Sequence, residues 1–204
     1  MIQPTVITRT YDLYLPLNRQ SILRRAGVAE TTPEVEALLD DCLKSVRGVF
    51  TYRLCYSEYA LKPTRAGLDL GFATTPSQDL ARHLEGCDRM ILFAATVGGQ
   101  IDRMIRRNAV ESPAVSFLLH NIGAEAIEVL CDTFCAEMEN KMKTQGRQTR
   151  KRFSPGYGDL PIELQKPIFE ALQCQHRIGL FLGERLLMTP SKSVTAIIGV
   201  ENKK

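Results

Sequence analysis

The sequence predicts an α+β fold, a mainly antiparallel sheet with flanking helices, and three observations carry that prediction. Segments of helical and of strand periodicity alternate without a steady strand–helix–strand rhythm. The run Met90-Ile91-Leu92-Phe93-Ala94-Ala95-Thr96-Val97 is apolar on both faces, the pattern of a central strand. Pro113 opens the longest periodic segment, which reaches about Lys143 with the apolar stripe Val115, Leu118, Leu119, Ile122, Ile127, Leu130, Phe134 and Met138.

Nearer the N-terminus, from Leu17 to Phe50, apolar positions recur at helical spacing, and Gly27 divides two helices. Thr32-Pro33 gives the second an N-cap followed by proline at its first position. Residues 51 to 75 alternate through Tyr52, Leu54 and Tyr56 and again through Leu68, Leu70 and Phe72, which predicts two strands joined through Lys62-Pro63-Thr64 as a hairpin or β-arch. Ser77 caps a short helix to about Gly86, and a further helix runs from near Gln100 to about Asn108. A Gly/Pro-bearing segment spans Gly146 to Pro161, followed by a helix from Glu163 to Cys174. Two strand-like runs close the chain, Ile178 to Leu182 continuing toward Met188, and Val194 to Val200, with Thr189-Pro190-Ser191-Lys192 as the turn between them.

With 204 residues, 44% hydrophobic and 24% charged, the chain suits one domain over 1–204, a helical N-terminal part over 1–50 and the sheet with its helices over 51–204. The net charge is +3, and Arg147, Arg150, Lys151 and Arg152 more than account for it, so the surface as a whole is not built for nucleic acid. No unbroken apolar run approaches the roughly 18 residues that span a bilayer, and no membrane partner is expected. The six cysteines form no Cys-x-x-Cys pair and read as buried or half-buried free thiols, which with the lack of a signal-peptide pattern suits a reducing cytoplasm.

Few constellations carry chemistry. His83, His120 and His176 have no partner at metal-ligand spacing, so no metal is expected, and a Gly-x-Ser-x-Gly elbow is absent. Gly98-Gly99 between a strand and a helix reads as a tight turn. Glu125, Glu128, Asp132 and Glu139 share one face of the long helix away from its apolar stripe; they read as a solvated acidic face, interesting only if other segments cover them. The run Arg147 to Arg152 reads as a solvated linker after a helix end, or as a patch that steers an anionic partner. The segment after it is less ordinary. Phe153-Ser154-Pro155-Gly156-Tyr157-Gly158-Asp159 sets two glycines and a proline around an aromatic ring, so the backbone can approach a ligand while Tyr157 forms a flat wall and Arg152 offers a planar fork to a carboxylate.

At this segment the sequence resembles the activation (reactivation) domain of vitamin B12-dependent methionine synthase, whose signature Arg-x-x-x-Gly-Tyr is met by Arg152, Gly156 and Tyr157. The likeness continues through Thr189-Pro190-Ser191-Lys192-Ser193-Val194, similar to the family's Pro-x-x-Ser-Val turn and strand, and Cys131-Asp132-Thr133-Phe134 falls where the family carries a ligand-binding acidic residue. It covers about residues 90 to 200. The resemblance implies an activation-domain-like α+β fold with a shallow S-adenosylmethionine groove and no catalytic residue. It implies that Arg152 holds the methionine carboxylate, that the backbone at Ser154 and Gly156 meets the adenosyl part, that Tyr157 lines the groove, and that Asp132, or Glu128 one turn earlier, faces the ligand's polar atoms. The family's N-terminal acidic contact has no match here, and its further ligand-contacting tyrosine would fall past Lys204.

In the family this domain usually ends a long enzyme that binds cobalamin, homocysteine and folate, modules this chain lacks. The implied role is therefore reactivation in trans, the reductive methylation of cob(II)alamin held by a partner methionine synthase or another corrinoid protein. A low-potential donor of flavodoxin or ferredoxin type would supply the electron. The rival expectation is an interaction protein of the same fold that no longer binds the ligand.

Overall fold

The doubly apolar run becomes the middle of the sheet because a strand with no polar face must be covered on both sides. The computed structural model describes residues 4–11, 15–65 and 67–202, so the extreme ends of the expected 1–204 domain lie outside the described residues. Five strands form the main sheet: β1 (Ile7–Tyr11), β2 (Tyr52–Ala60), β6 (Cys87–Thr96), β7 (Arg147–Phe153) and β10 (Ser193–Asn202). Their order is β1-β2-β6-β10-β7, and each neighbouring pair is antiparallel.

Alternation along β6 assigns its two faces. Ile91, Phe93 and Ala95 join one core together with Leu54 and Tyr56 of β2 and Ala196 and Ile198 of β10. Over this face lie α1 (Arg19–Arg25), α2 (Pro33–Ser45), α4 (Gln100–Glu111) and α5 (Pro113–Lys143). Phe134 of α5 is fully buried there, its ring 5.1 Å from that of Tyr56 and 5.0 Å from that of Phe93. Met90, Leu92 and Ala94 point the other way, toward α3 (Gln78–His83), α6 (Gln165–Leu172) and α7 (Cys174–Ile178). Two small sheets complete the chain: β3 (Lys62–Thr64), β4 (Gly67–Asp69) and β5 (Thr74–Thr75), and the pair β8 (Phe181–Leu182) and β9 (Met188–Thr189).

The α+β class and the antiparallel sheet are as predicted, and the caps behave as the sequence indicates. Thr32 and Ser77 accept from the backbone N–H groups of Val35 and Leu80. Several boundaries differ. The N-terminal part is not helical throughout, since Ile7–Tyr11 is a sheet strand that pairs with β2. Alternation over 51 to 75 identified strands but not their partners: β2 is buried on both faces and pairs with β1 and β6, while Lys62–Thr64, read as a joint, is itself a strand paired with β4. The helix read to Asn108 continues to Glu111. The helix read over Glu163 to Cys174 starts in a 3-10 turn and breaks at Gln173, whose φ of 52° is left-handed. Ile178, read as strand, ends α7, which Gly179 terminates at φ 67°.

By length and composition α5 is apolar enough to cross a membrane, a property that counting unbroken apolar runs passes over. In this fold it is a core helix, with 56% of its most apolar window buried.

Candidate functional site

The run Arg147 to Phe153 is strand rather than linker, and that sets the direction of each arginine. As the edge strand β7, it places Arg152 opposite Ile198, on the side of the sheet that α5 covers. There Arg152 donates from Nη1 to Asp132 Oδ1 at 2.5 Å and from Nη2 to Glu128 Oε2 at 2.5 Å. Burial opposes the charge on this guanidinium, but the hydrogen bond to Asp132 and the anionic groups around it prevail and push its pKa up. The other arginines are also matched within the chain. Arg147 meets Asp88 as a two-bond fork at 3.0 and 2.7 Å, and Arg150 meets Glu201 at 2.7 Å.

The face read as a solvated acidic one is covered at its N-terminal half and solvated beyond it. Glu125 is 4% exposed, accepts from the Asn18 backbone N–H at 3.3 Å and stands 3.5 Å from the Arg25 guanidinium. Glu128 and Asp132 hold Arg152, Asp132 from the surface, and Glu139 also keeps to the surface, paired with Lys143 one turn on. Cys131 and Cys135 lie between these carboxylates, and burial pushes both thiols up, away from the reactive thiolate form.

Beyond Phe153 the chain turns tightly and closes on itself. Tyr157 N–H donates to Ser154 C=O at 3.2 Å, Gly156 N–H to Leu160 C=O at 2.9 Å, and Leu160 N–H to Tyr157 C=O at 3.0 Å. Gly156 needs its glycine, for φ is 92°. Gly158 needs its own for space as well, because a Cβ there would stand 2.1 Å from the Asp79 carboxylate. Asp159 caps α3, accepting from Ser77 Oγ and from the backbone N–H groups of Gln78 at 2.7 Å and Asp79 at 3.1 Å, while Asp79 accepts from Asp159 N–H at 3.0 Å. Those bonds, the one from Ser77 foremost, hold the Asp159 carboxyl below its usual range. The loop is thus preorganised from outside the site. Tyr157 is 68% exposed, its ring edge-on to Phe153 at 6.4 Å.

A groove opens where the edge strand stops. β10 pairs with β6 from Ser193 onward but with β7 only from Ile197, so among the described residues the outer edge of Ser193 to Ala196 has no strand partner. Beside it lies a cavity of about 180 Å³. Arg152, Ser154, Pro155 and Tyr157 form one wall, Glu128 of α5 another, and Gln165, Met188 and Ser193 to Thr195 the rest. A second cavity of about 180 Å³ adjoins it through Arg152, Phe153, Ser154 and Tyr157. Two larger clefts, about 510 and 530 Å³, flank α6 and collect none of the predicted residues.

Five of the six predicted site residues are thereby brought together: Arg152, Glu128, Ser154 and Tyr157 line the groove, and Asp132 holds the Arg152 fork. Gly156 does not line it. Its N–H is taken by Leu160, and its part is to shape the turn. Gln165 was not foreseen. It is 5% exposed, and among the described residues its side-chain oxygen is buried without a hydrogen-bond partner. Its one sequence signal is a polar residue three and seven positions before Ile168 and Leu172, on the apolar face of their helix.

No family model matches the sequence, and no curated protein does either. A solved structure does: the crystal structure of the MetH reactivation domain bound to AdoHcy is similar over 97% of this chain and 79% of its own, with a TM-score of 0.66 and 14% identity. This chain has the reactivation-domain fold. The topology above is therefore that of the domain whose signature the segment Arg152 to Tyr157 resembles, and the segment sits on its sheet edge at a groove.

Proposed function

We propose that this reactivation-domain fold binds S-adenosylmethionine in the groove beside β10 and presents its methyl group to a corrinoid held by another protein. The observation that carries the reading is the placement of Arg-x-x-x-Gly-Tyr at the point where β7 ends and the groove begins. The solved relative in fold is bound to AdoHcy, the demethylated counterpart of that ligand.

The donor set suits the ligand. Its amino-acid end is a zwitterion, and Arg152 with Glu128 and Asp132 offers one cation and two anions within hydrogen-bond reach of one another. A carboxylate arriving at Arg152 exchanges with one of these anions, and the displaced anion can take the incoming ammonium. Ser154 and Tyr157 border the middle of the groove. Each cavity is smaller than the roughly 300–1,000 Å³ of enclosed small-molecule pockets, so the ligand lies along the surface, where a partner's cofactor can meet it.

A methyl sulfonium is already an electrophile, so the chain needs no acid or base and its task is orientation. A partner's cobalamin, when bound, would supply the methyl acceptor, with one electron from a low-potential donor of flavodoxin or ferredoxin type and AdoHcy as the leaving thioether. The proposed partner is a cobalamin-dependent methionine synthase, and another corrinoid methyltransferase would use the same groove.

Calorimetric titration with S-adenosylmethionine and AdoHcy tests the binding step, and silence at millimolar ligand would sink the reading. Methylation of a corrinoid methyltransferase in the presence of a reducing donor, with and without this protein, tests the role in trans.

A further inference from the structure

The polar groups around the groove are not equally satisfied. At one end Arg152 is bonded to Glu128 and Asp132. On β10, Ser193 Oγ donates to Pro190 C=O at 2.7 Å. At α6, the Gln165 side-chain oxygen is sealed from solvent and lacks a partner among the described residues. A leucine would suit that position by volume and by the apolar neighbours Ile168 and Leu172, so the amide stands against the local preference of the fold. Buried polar groups without partners are scarce in folded proteins, and one that borders a groove points to a donor that arrives from outside.

The character of the group limits that donor. A carboxamide oxygen is a neutral acceptor, so it matches a neutral N–H or O–H, whereas the ammonium of the ligand is matched by the carboxylates across the groove. The terminal torsion of glutamine is broad, which lets the amide turn into the groove without leaving its rotamer. With the amino-acid end at Arg152, the part of the ligand left for Gln165 is the nucleoside, whose neutral donors are the exocyclic amine of adenine and the ribose hydroxyls.

We infer that Gln165 is a specificity-determining residue that accepts a hydrogen bond from the nucleoside half of the ligand. The inference rests on the S-adenosylmethionine reading of the groove. It predicts an opposite response of stability and binding to one substitution. Gln165→Leu removes an unmatched buried acceptor, so the melting temperature of the protein stays level or rises, while affinity for AdoHcy falls roughly threefold to tenfold.

The test combines thermal melts with calorimetric titration of wild type, Gln165→Leu and Gln165→Met. The probes are AdoHcy, its deaminated inosyl analogue and its 2′-deoxy and 3′-deoxy analogues. The wild-type advantage over both variants is expected to vanish with the one analogue that lacks the bonded donor, which names the amine or the hydroxyl. Equal affinity of wild type and variants for AdoHcy overturns the inference, as does an advantage of the same size with every probe. A melting temperature several degrees lower in both variants overturns it too, since Gln165 would then serve the core. Silence of wild type toward AdoHcy overturns the groove reading itself, and this inference with it.

Discussion

The two walls of the groove, α5 and α6, treat their polar groups in opposite ways. Beneath α5, carboxylates are matched by partners from distant elements: Glu125 by Arg25 and the Asn18 N–H, Glu128 and Asp132 by Arg152, and Glu137 by Arg9 and Tyr11. The helix itself runs 31 residues and carries the largest share of that core. On the other face lie three short helices, the longest of 8 residues, α6 and α7 against β2 and β6 and α3 beside β7, and one of them leaves the Gln165 oxygen unmatched. The difference teaches that α5 is the scaffold, whose charges fix its neighbours, and that the α6 side holds the adaptable wall of the groove. The groove lies where the faces meet, past the end of β7.

The comparison breaks most directly in the core. Phe134→Ala is expected to cost about 3–5 kcal/mol, because the ring sits between Tyr56 and Phe93 under a long helix that cannot collapse around the void. At about 2–4 °C per kcal/mol for a chain of this size, a melt reads it as a large fall. Ile168→Ala on α6 is expected to cost less, because a short helix can shift to close the gap. A larger loss from Ile168→Ala would reverse the roles assigned to the faces.

Arg152→Ala is the next test, and its effect is expected in binding more than in folding. Its carboxylate partners are 35% and 71% exposed, so water can take them over, whereas the ligand loses a charge-assisted fork worth about 1.5–3 kcal/mol. Affinity for S-adenosylmethionine should fall tenfold or more by titration, with Arg152→Lys recovering only part. Unchanged affinity would remove Arg152 from its assigned role.

Gly158→Ala probes the loop that links the faces. The added Cβ meets the Asp79 carboxylate and must adopt φ 53°, a combination expected to cost about 1–3 kcal/mol and to loosen the turn that carries Tyr157. Melting and AdoHcy affinity should fall together, in contrast to the opposed responses predicted at Gln165.

The smallest effect concerns pH. Burial, and then the nearby Lys192 ammonium, lowers the pKa of His120 on α5 from its usual 6.5, so the folded state holds the imidazole neutral. The unfolded chain therefore binds a proton first as pH falls below about 6.5, and stability declines from there downward until the folded ring also titrates. His120→Gln should flatten that limb of a melting-temperature profile on the acid side of about pH 6.5. A profile unchanged by the substitution would show that this contact is immaterial on the α5 face.

Much of this architecture was legible because periodicity reports burial. Met90 to Val97 announced the central strand, and Pro113 to Lys143 marked both ends of α5. Arg152, Glu128 and Asp132 were legible as site candidates through the resemblance, and their meeting comes from the register of β7 on β10. Ile7–Tyr11 was missed because a five-residue edge strand with mostly exposed side chains carries little burial signal. The basic run was misread for a related reason. Its arginines are interspersed with polar residues, and both the strand it pairs with and the carboxylates that neutralise it lie 20 or more positions away.

The sequence by itself determined the class, the helix caps, the doubly covered strand and the Arg152 to Tyr157 segment, since each depends on residues close together in the chain. Only the tertiary structure decided that Glu125 at one end of the acidic face of α5 is buried, that the groove forms where β7 falls short of β10, and that Gln165 borders it unmatched. Those features depend on where strands end relative to one another and on which helix crosses the gap, and local periodicity carries neither.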